Sequence, residues 1–373
     1  MNGNIRVGNL FGIPFYVNPS WFLVLGLVTL SYGGQLALFP QLSGITPWIL
    51  GLVTALLLFA SVIAHELGHS FVAISQKIGV QSITLFIFGG LASLEKESET
   101  PLQAFLVAIA GPLVSLLLFG LFAIIGLTVS LPLPLAAIVS LLASMNLALG
   151  IFNLIPGLPL DGGNVLKALV WKITGNPNRG IIFASRVGQL LGWLAVLVGG
   201  LATLGFSPIG NFWTLLIGFF LLQNAGSSAQ SAQVQEILSG LTAEDAVIPN
   251  SPIVNSSLNL REFANDYVIG KNQWRKFLVT DETGTLLGAI ATEDLKKVST
   301  SDWTTTPVTE LMESQQAFTT VLSSQPLLEV LKLIDQQNTP QLAVIRENGV
   351  LVGLLEKSSI ISLLQQKAQL KAA

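Results

Sequence analysis

Six stretches of this chain are apolar and long enough to read as membrane spans, with short polar or Gly- and Pro-containing segments between them. They cover about residues 21–38, 48–76, 102–129, 134–155, 188–206 and 211–229. Residues 1–19 mix apolar side chains with Gly and Pro, and read as an interfacial lead-in, not a span. Residues 80–94 (VQSITLFIFGGLASL) are rich in β-branched and aromatic side chains and read as one or two strands. Open strand edges cannot face lipid, so this segment belongs beside a water-filled or protein-lined cavity, where an edge can pair with an extended peptide. The plain alternative is a re-entrant structural hairpin.

Past residue 240 the pattern changes. Residues 1–240 carry 13 charged side chains, and residues 241–373 carry 26. A membrane part (1–230) and a linker (231–240) are thus followed by a water-soluble tail. The tail repeats itself: FLVTDETGTLLG (277–288) matches LAVIRENGVLVG (342–353) at an offset of 65 residues. Each copy reads strand, turn, strand, helix, with an apolar helix upstream (258–269 and 326–337). Units this small bury their cores best by pairing, so the copies are taken as 241–305 and 306–373. The expected fold is an α-helical polytopic membrane protein with about six spans and a small membrane-associated β element, plus a cytoplasmic α/β pair.

Composition narrows the function classes. The chain has 373 residues, 51% hydrophobic and 10% charged, which indicates a polytopic membrane protein and not a soluble enzyme. A net charge of −3 argues against a nucleic-acid partner, and the absence of Cys excludes disulfides and thiol catalysis. No basic n-region with a cleavage site precedes the first span, and no transit segment is seen. The expected location is therefore a bacterial plasma (inner) membrane. The seven Lys and Arg before residue 241 leave 7–76, 97–166 and 187–260 bare, each gap holding two spans and their loop. The positive-inside rule then puts every basic loop and both termini in the cytoplasm.

The candidate chemistry lies in the second span, at Ala-His-Glu-Leu-Gly-His-Ser (64–70). His65 and His69 are the only two histidines, and a spacing of four puts them on one helical face. Glu66 is placed to reach a metal-bound water, completing the zinc-hydrolase pattern H-E-x-x-H. Five residues can match by chance, but ionisable groups inside a span are unfavourable and mark function. With no Cys and no further His, the third ligand has to be acidic. Asp161 is the only acid between Glu99 and Glu236, and it follows a backbone broken by Pro156 and Pro159. In isolation Pro-Leu-Asp-Gly-Gly would be an ordinary turn; beside a two-His site lacking a carboxylate it supplies the ligand.

Two resemblances follow. The tail is similar to a tandem pair of CBS domains, regulatory modules that often bind adenine nucleotides. Nucleotide-binding copies follow the second strand with Thr or Ser, two residues, then Asp. Ala291-Thr292-Glu293-Asp294 keeps only Asp294, and Glu356-Lys357-Ser358-Ser359 keeps neither, so dimerisation or substrate docking stands beside nucleotide binding. The membrane part resembles the site-2 protease family of intramembrane zinc metalloproteases, in which an appended CBS pair also occurs. The match rests on His65 to His69, Phe88-Gly89-Gly90, Gly111-Pro112 through Ser115, and Asn153 through Asp161-Gly162. It implies one zinc ion per chain on His65, His69 and Asp161, with Glu66 as general base. Asn153 would stabilise the oxyanion or the substrate carbonyl, and Phe88, Gly89 and Gly90 would present the substrate in extended form. The implied partners are a single-span membrane protein as substrate and a second copy of the chain through the CBS pair. Two rivals are a CBS-regulated transporter or channel and a zinc-binding pseudoprotease. Spans five and six lack the polar residues a permeation path needs, and an intact Glu66 argues against the second.

Overall fold

The computed structural model describes residues 3–87, 89–270, 274–314, 319–337 and 341–372. By internal contacts the chain divides into Met1–Ala232 and Gln233–Ala373.

In the first unit, β1 (Ile5–Leu10) and β2 (Ile13–Val17) precede α1 (Ser20–Leu36) and α2 (Thr46–Ser75). Next come β3 (Val80–Phe86), β4 (Gly89–Leu94), α3 (Pro101–Thr128) and α4 (Leu133–Asn153). Helices α5 (Asp161–Thr174), α6 (Pro177–Thr203) and α7 (Phe212–Leu238) follow. Among the described residues, α2, α3, α4 and α6 are long and apolar enough to cross a membrane. Of the other two expected spans, α1 has 17 residues, and α7 turns polar over its second half from Gln223 onward. Between α4 and α6 the chain forms α5, an amphipathic helix that the span pattern does not anticipate.

The lead-in also differs from expectation. It forms a hairpin whose second strand joins the 80–94 segment, giving a sheet in the order β1-β2-β3-β4. Strands β2 and β3 run parallel, while the two outer pairs are antiparallel. The cause is a period of two in IPFYV: Ile13, Phe15 and Val17 turn inward with Ile83 and Leu85. They pack on Phe59, Val62, Ile63 and Leu67 of α2. The two-residue turn Phe11-Gly12 has φ of 54° and 85°, the positive pair that matches strand twist in tight hairpins. Strand β4 thus ends up at the sheet edge, beside the α2 segment that carries the histidines.

The second unit shows the repeat in three dimensions. β5 (Ile253–Asn255), α8 (Leu260–Phe263), β6 (Lys276–Thr280) and β7 (Leu286–Ala291) form one copy, and β8 (Glu313–Ser314), from beyond the expected boundary at 305, completes its sheet. β9 (Thr320–Leu322), α9 (Leu327–Gln337), β10 (Gln341–Ile345), β11 (Leu351–Glu356) and α10 (Lys357–Ala372) form the other. Both copies shift register at the same place, Val279/Thr280 and Val344/Ile345, 65 residues apart. Leu278, Leu286 and Ala289 of the first meet Ala343, Leu351 and Leu354 of the second in a shared core. The first copy's upstream helix is shorter than the expected 258–269, closing in a single wide turn over Ala264–Val268.

Candidate metal and catalytic centre

One turn apart on α2, His65 and His69 bring their Nε2 atoms within 3.3 Å of each other. Asp161, in the first turn of α5, puts Oδ2 at 3.1 Å from His65 Nε2 and 3.3 Å from His69 Nε2. The far ring nitrogens are held by α3: His65 Nδ1 lies 2.8 Å from Ser115 Oγ, and His69 Nδ1 lies 2.7 Å from the Val107 carbonyl oxygen. That carbonyl can only accept, so His69 carries a proton on Nδ1, and in the neutral imidazole Nε2 is then the free donor atom.

Val107, Gly111 and Ser115 are each four apart, on one face of α3. A side chain at Gly111 would overlap His69 Nε2 and lie 2.7 Å from His65 Nε2, so the helix passes bare beneath both rings. Asp161 arrives by a similarly tight route. Side chains at Gly162 or Gly163 would collide with the backbone of Leu154, Ile155 and Gly157.

The three donor atoms suit a metal. Ligands about 2.0–2.1 Å from a tetrahedral zinc stand roughly 3.3 Å apart, close to the separations here. With both imidazoles neutral and the carboxylate ionised, the three donor atoms converge on one point that a single cation can share. These residues are also the one three-ligand cluster found among the described residues. Two His and a carboxylate leave a fourth position open, as a catalytic site requires.

Glu66 points from the same turn of α2 toward β4. The Ala92 amide hydrogen-bonds its carboxyl group, and a side chain at Gly90 would overlap its Cγ and lie 2.9 Å from Oε1. Glu66 is therefore seated between the ligand trio and the edge strand. Asn153 ends α4, donates one amide N–H to the Leu149 carbonyl (3.1 Å), and lines the same cavity of about 360 Å³ as His65, Glu66, His69 and Asp161. Gly89 and Gly90 line it too; Phe88 lies outside the described residues. In the second unit, Asp294 accepts from the Ala291 amide (2.8 Å) and pairs with Lys297 (2.7 Å), which makes it a local cap in this structure.

Sequence reasoning gave no role to Val107, Gly111 or Ser115. A signal existed for the last: Ser115 is the only hydroxyl between Thr100 and Thr128. Asn164 and Lys167, which also line the cavity, carried no signal beyond their position after Asp161.

The chain matches the model of peptidase family M50 over residues 53–137 and 132–195, and that of the CBS domain over 308–366. It is 66% identical over 368 residues to a Synechocystis protein named "Putative zinc metalloprotease sll0528", covering 99% of this chain and 97% of that one. It is 29% identical over 375 residues to the zinc metalloprotease MJ0392 of Methanocaldococcus jannaschii, covering all of both. A solved structure, the site-2 protease from Methanocaldococcus jannaschii, is similar at a TM-score of 0.44 with 29% identity, covering 61% of this chain and 95% of that one. With two-thirds identity sustained along the whole of a metalloprotease-named relative, this chain belongs to peptidase family M50, the site-2 proteases, and carries a CBS domain in its C-terminal part.

Proposed function

We propose that the chain is an intramembrane zinc endopeptidase that hydrolyses a peptide bond in or near the transmembrane helix of a membrane-anchored protein. The observation that carries this reading is the seating of Glu66 between the His65–His69–Asp161 trio and the edge of β4. His65, His69 and Asp161 would hold a zinc ion, which when bound would supply Lewis acidity and make water easier to deprotonate. Glu66 then takes the proton of the attacking water, and its contact with the Ala92 amide fixes the direction from which it does so. The Asn153 amide steadies the carbonyl oxygen of the scissile bond as charge develops there.

The free edge of β4 accepts the substrate as an added strand, so backbone hydrogen bonds hold the scissile segment extended beside Glu66. A substrate helix has to unwind to do this, because helical carbonyls are already hydrogen-bonded. Both termini face the cytoplasm in this reading, with the basic loops on that side. The CBS pair serves association of two chains, and adenine nucleotides are the ligands to try on it; sedimentation of the purified protein with and without AMP checks both.

The deciding experiment co-expresses a tagged single-span reporter with the wild-type chain or with Glu66→Gln, which keeps the metal ligands and removes the base. Cleavage by wild type alone supports the reading. Equal cleavage by both would overturn the role of Glu66.

A further inference from the structure

Three residues spaced three apart on α5, Asp161, Asn164 and Lys167, all line the catalytic cavity. Asp161 belongs to the ligand trio. Lys167 is the only Lys or Arg among the described residues lining this cavity. Its side chain is 18% exposed. Helix α6 packs closely at its base: a side chain at Gly180 would lie 2.5 Å from the Lys167 carbonyl oxygen and 3.4 Å from its Cγ. At the tip, no hydrogen bond is found among the described residues. The one charged partner is Glu97 Oε2 at 3.7 Å, beyond hydrogen-bonding distance.

An ammonium has three donors, and one that reaches into a cavity without a close partner is placed to take an anion there. Glu97 is a loose stand-in. Its side chain is 76% exposed, and it lies in the connection immediately after β4, where an added strand would continue.

Taking the metalloprotease reading of this cavity as its basis, we propose that Lys167 is a specificity-determining residue that recognises an Asp or Glu side chain in the substrate, two to three residues from the scissile bond. Six residues along a helix span about 9 Å, and an extended peptide covers that in about three residues. Glu97 then acts as a self-ligand that an acidic substrate displaces.

The test uses the full chain and a reporter series with Asp, Ala or Lys at the second to fourth positions on either side of the scissile bond. The wild type should favour Asp over Lys at one of these positions by roughly tenfold. Lys167→Met should bring that ratio close to one, Lys167→Glu should invert it, and Glu97→Gln should raise it. The same ratio at every position in wild type and Lys167→Glu would overturn the proposal. Should a Lys167 variant cut nothing, binding of the Asp and Lys reporters is compared in the Glu66→Gln background with and without Lys167→Glu. A charge preference that inverts supports the proposal, and equal binding overturns it. Reporter binding weakened by inorganic phosphate or anionic vesicles, with no preference for Asp over Lys, would also overturn it and assign Lys167 to a lipid headgroup. If the wild type cuts no reporter yet binding keeps the Lys167-dependent preference, the protease reading fails and the acid subsite stands.

Discussion

The two units use polar side chains in opposite ways. In the membrane unit they are scarcer, and several are buried and bonded from one helix to another. His65 meets Ser115, His69 meets the Val107 carbonyl, and the Asn146 amide donates to Ser61 at 3.1 Å. In the CBS unit they are plentiful and pair in water, as in Lys276–Glu313, Lys357–Asp335 and Arg346–Glu244, with every partner at least 36% exposed. A surface ion pair contributes between nothing and about 1 kcal/mol, since water and salt compete for both ends. A hydrogen bond inside the bundle has no such competitor, so losing one partner strands the other. The same short distance therefore means different things in the two units, and substitutions should reveal it.

The largest effect should follow Asp161→Asn, which replaces the only anionic ligand by an amide. Bound zinc, measured on the purified protein, should fall to roughly a tenth of wild type or less, with cleavage lost. Gly111→Ala should come close to it without touching a ligand, because the added methyl meets both imidazoles; unchanged zinc content would show that α3 yields. Ser115→Ala removes only the partner of His65 Nδ1, and a chelator competition should report about 10- to 100-fold weaker metal binding. Asp294→Asn should do least. Burial works to raise the Asp294 carboxyl, but the Lys297 ammonium and the Ala291 amide outweigh it and hold it below its ordinary value. The stability it lends is complete above the unfolded-state pKa and is lost as pH falls through the depressed folded value. Urea melts of wild type and Asp294→Asn should thus differ slightly near neutrality and converge in strong acid. A large zinc effect from Asp294→Asn, or none from Ser115→Ala, would break the contrast between the units.

Most of the metal centre was legible because polar residues stand out against an apolar background. His65, Glu66 and His69 sit in a span, and Asp161 is isolated among more than a hundred residues without another acid. What surrounds them was harder to read. Gly111 acts by lacking a side chain, so it entered only as part of a motif and without a role, and the role of Val107 belongs to its backbone, which leaves no trace in residue type. The 5–17 hairpin was missed because Gly and Pro dominate the first impression, while the alternation that forms β2 covers only five residues. Helix α5 was missed for a different reason: hydropathy windows find spans, and an amphipathic helix of 14 residues between two of them falls through. The CBS repeat was readable in its strands and turns, which are local and occur twice, while the register shift both copies share came only from the structure.

The face of α3 formed by Val107, Gly111 and Ser115 has one more consequence. Helices α2 and α5 both pack on α3, and between them they bring all three ligands. One helix is thus a common neighbour of both ligand-bearing helices. Were the bundle to lean with a thinning or thickening bilayer, α2 and α5 would be carried by the same neighbour, and with them the three ligands. The site carries its own ruler, and its geometry need not depend on the thickness of the membrane around it.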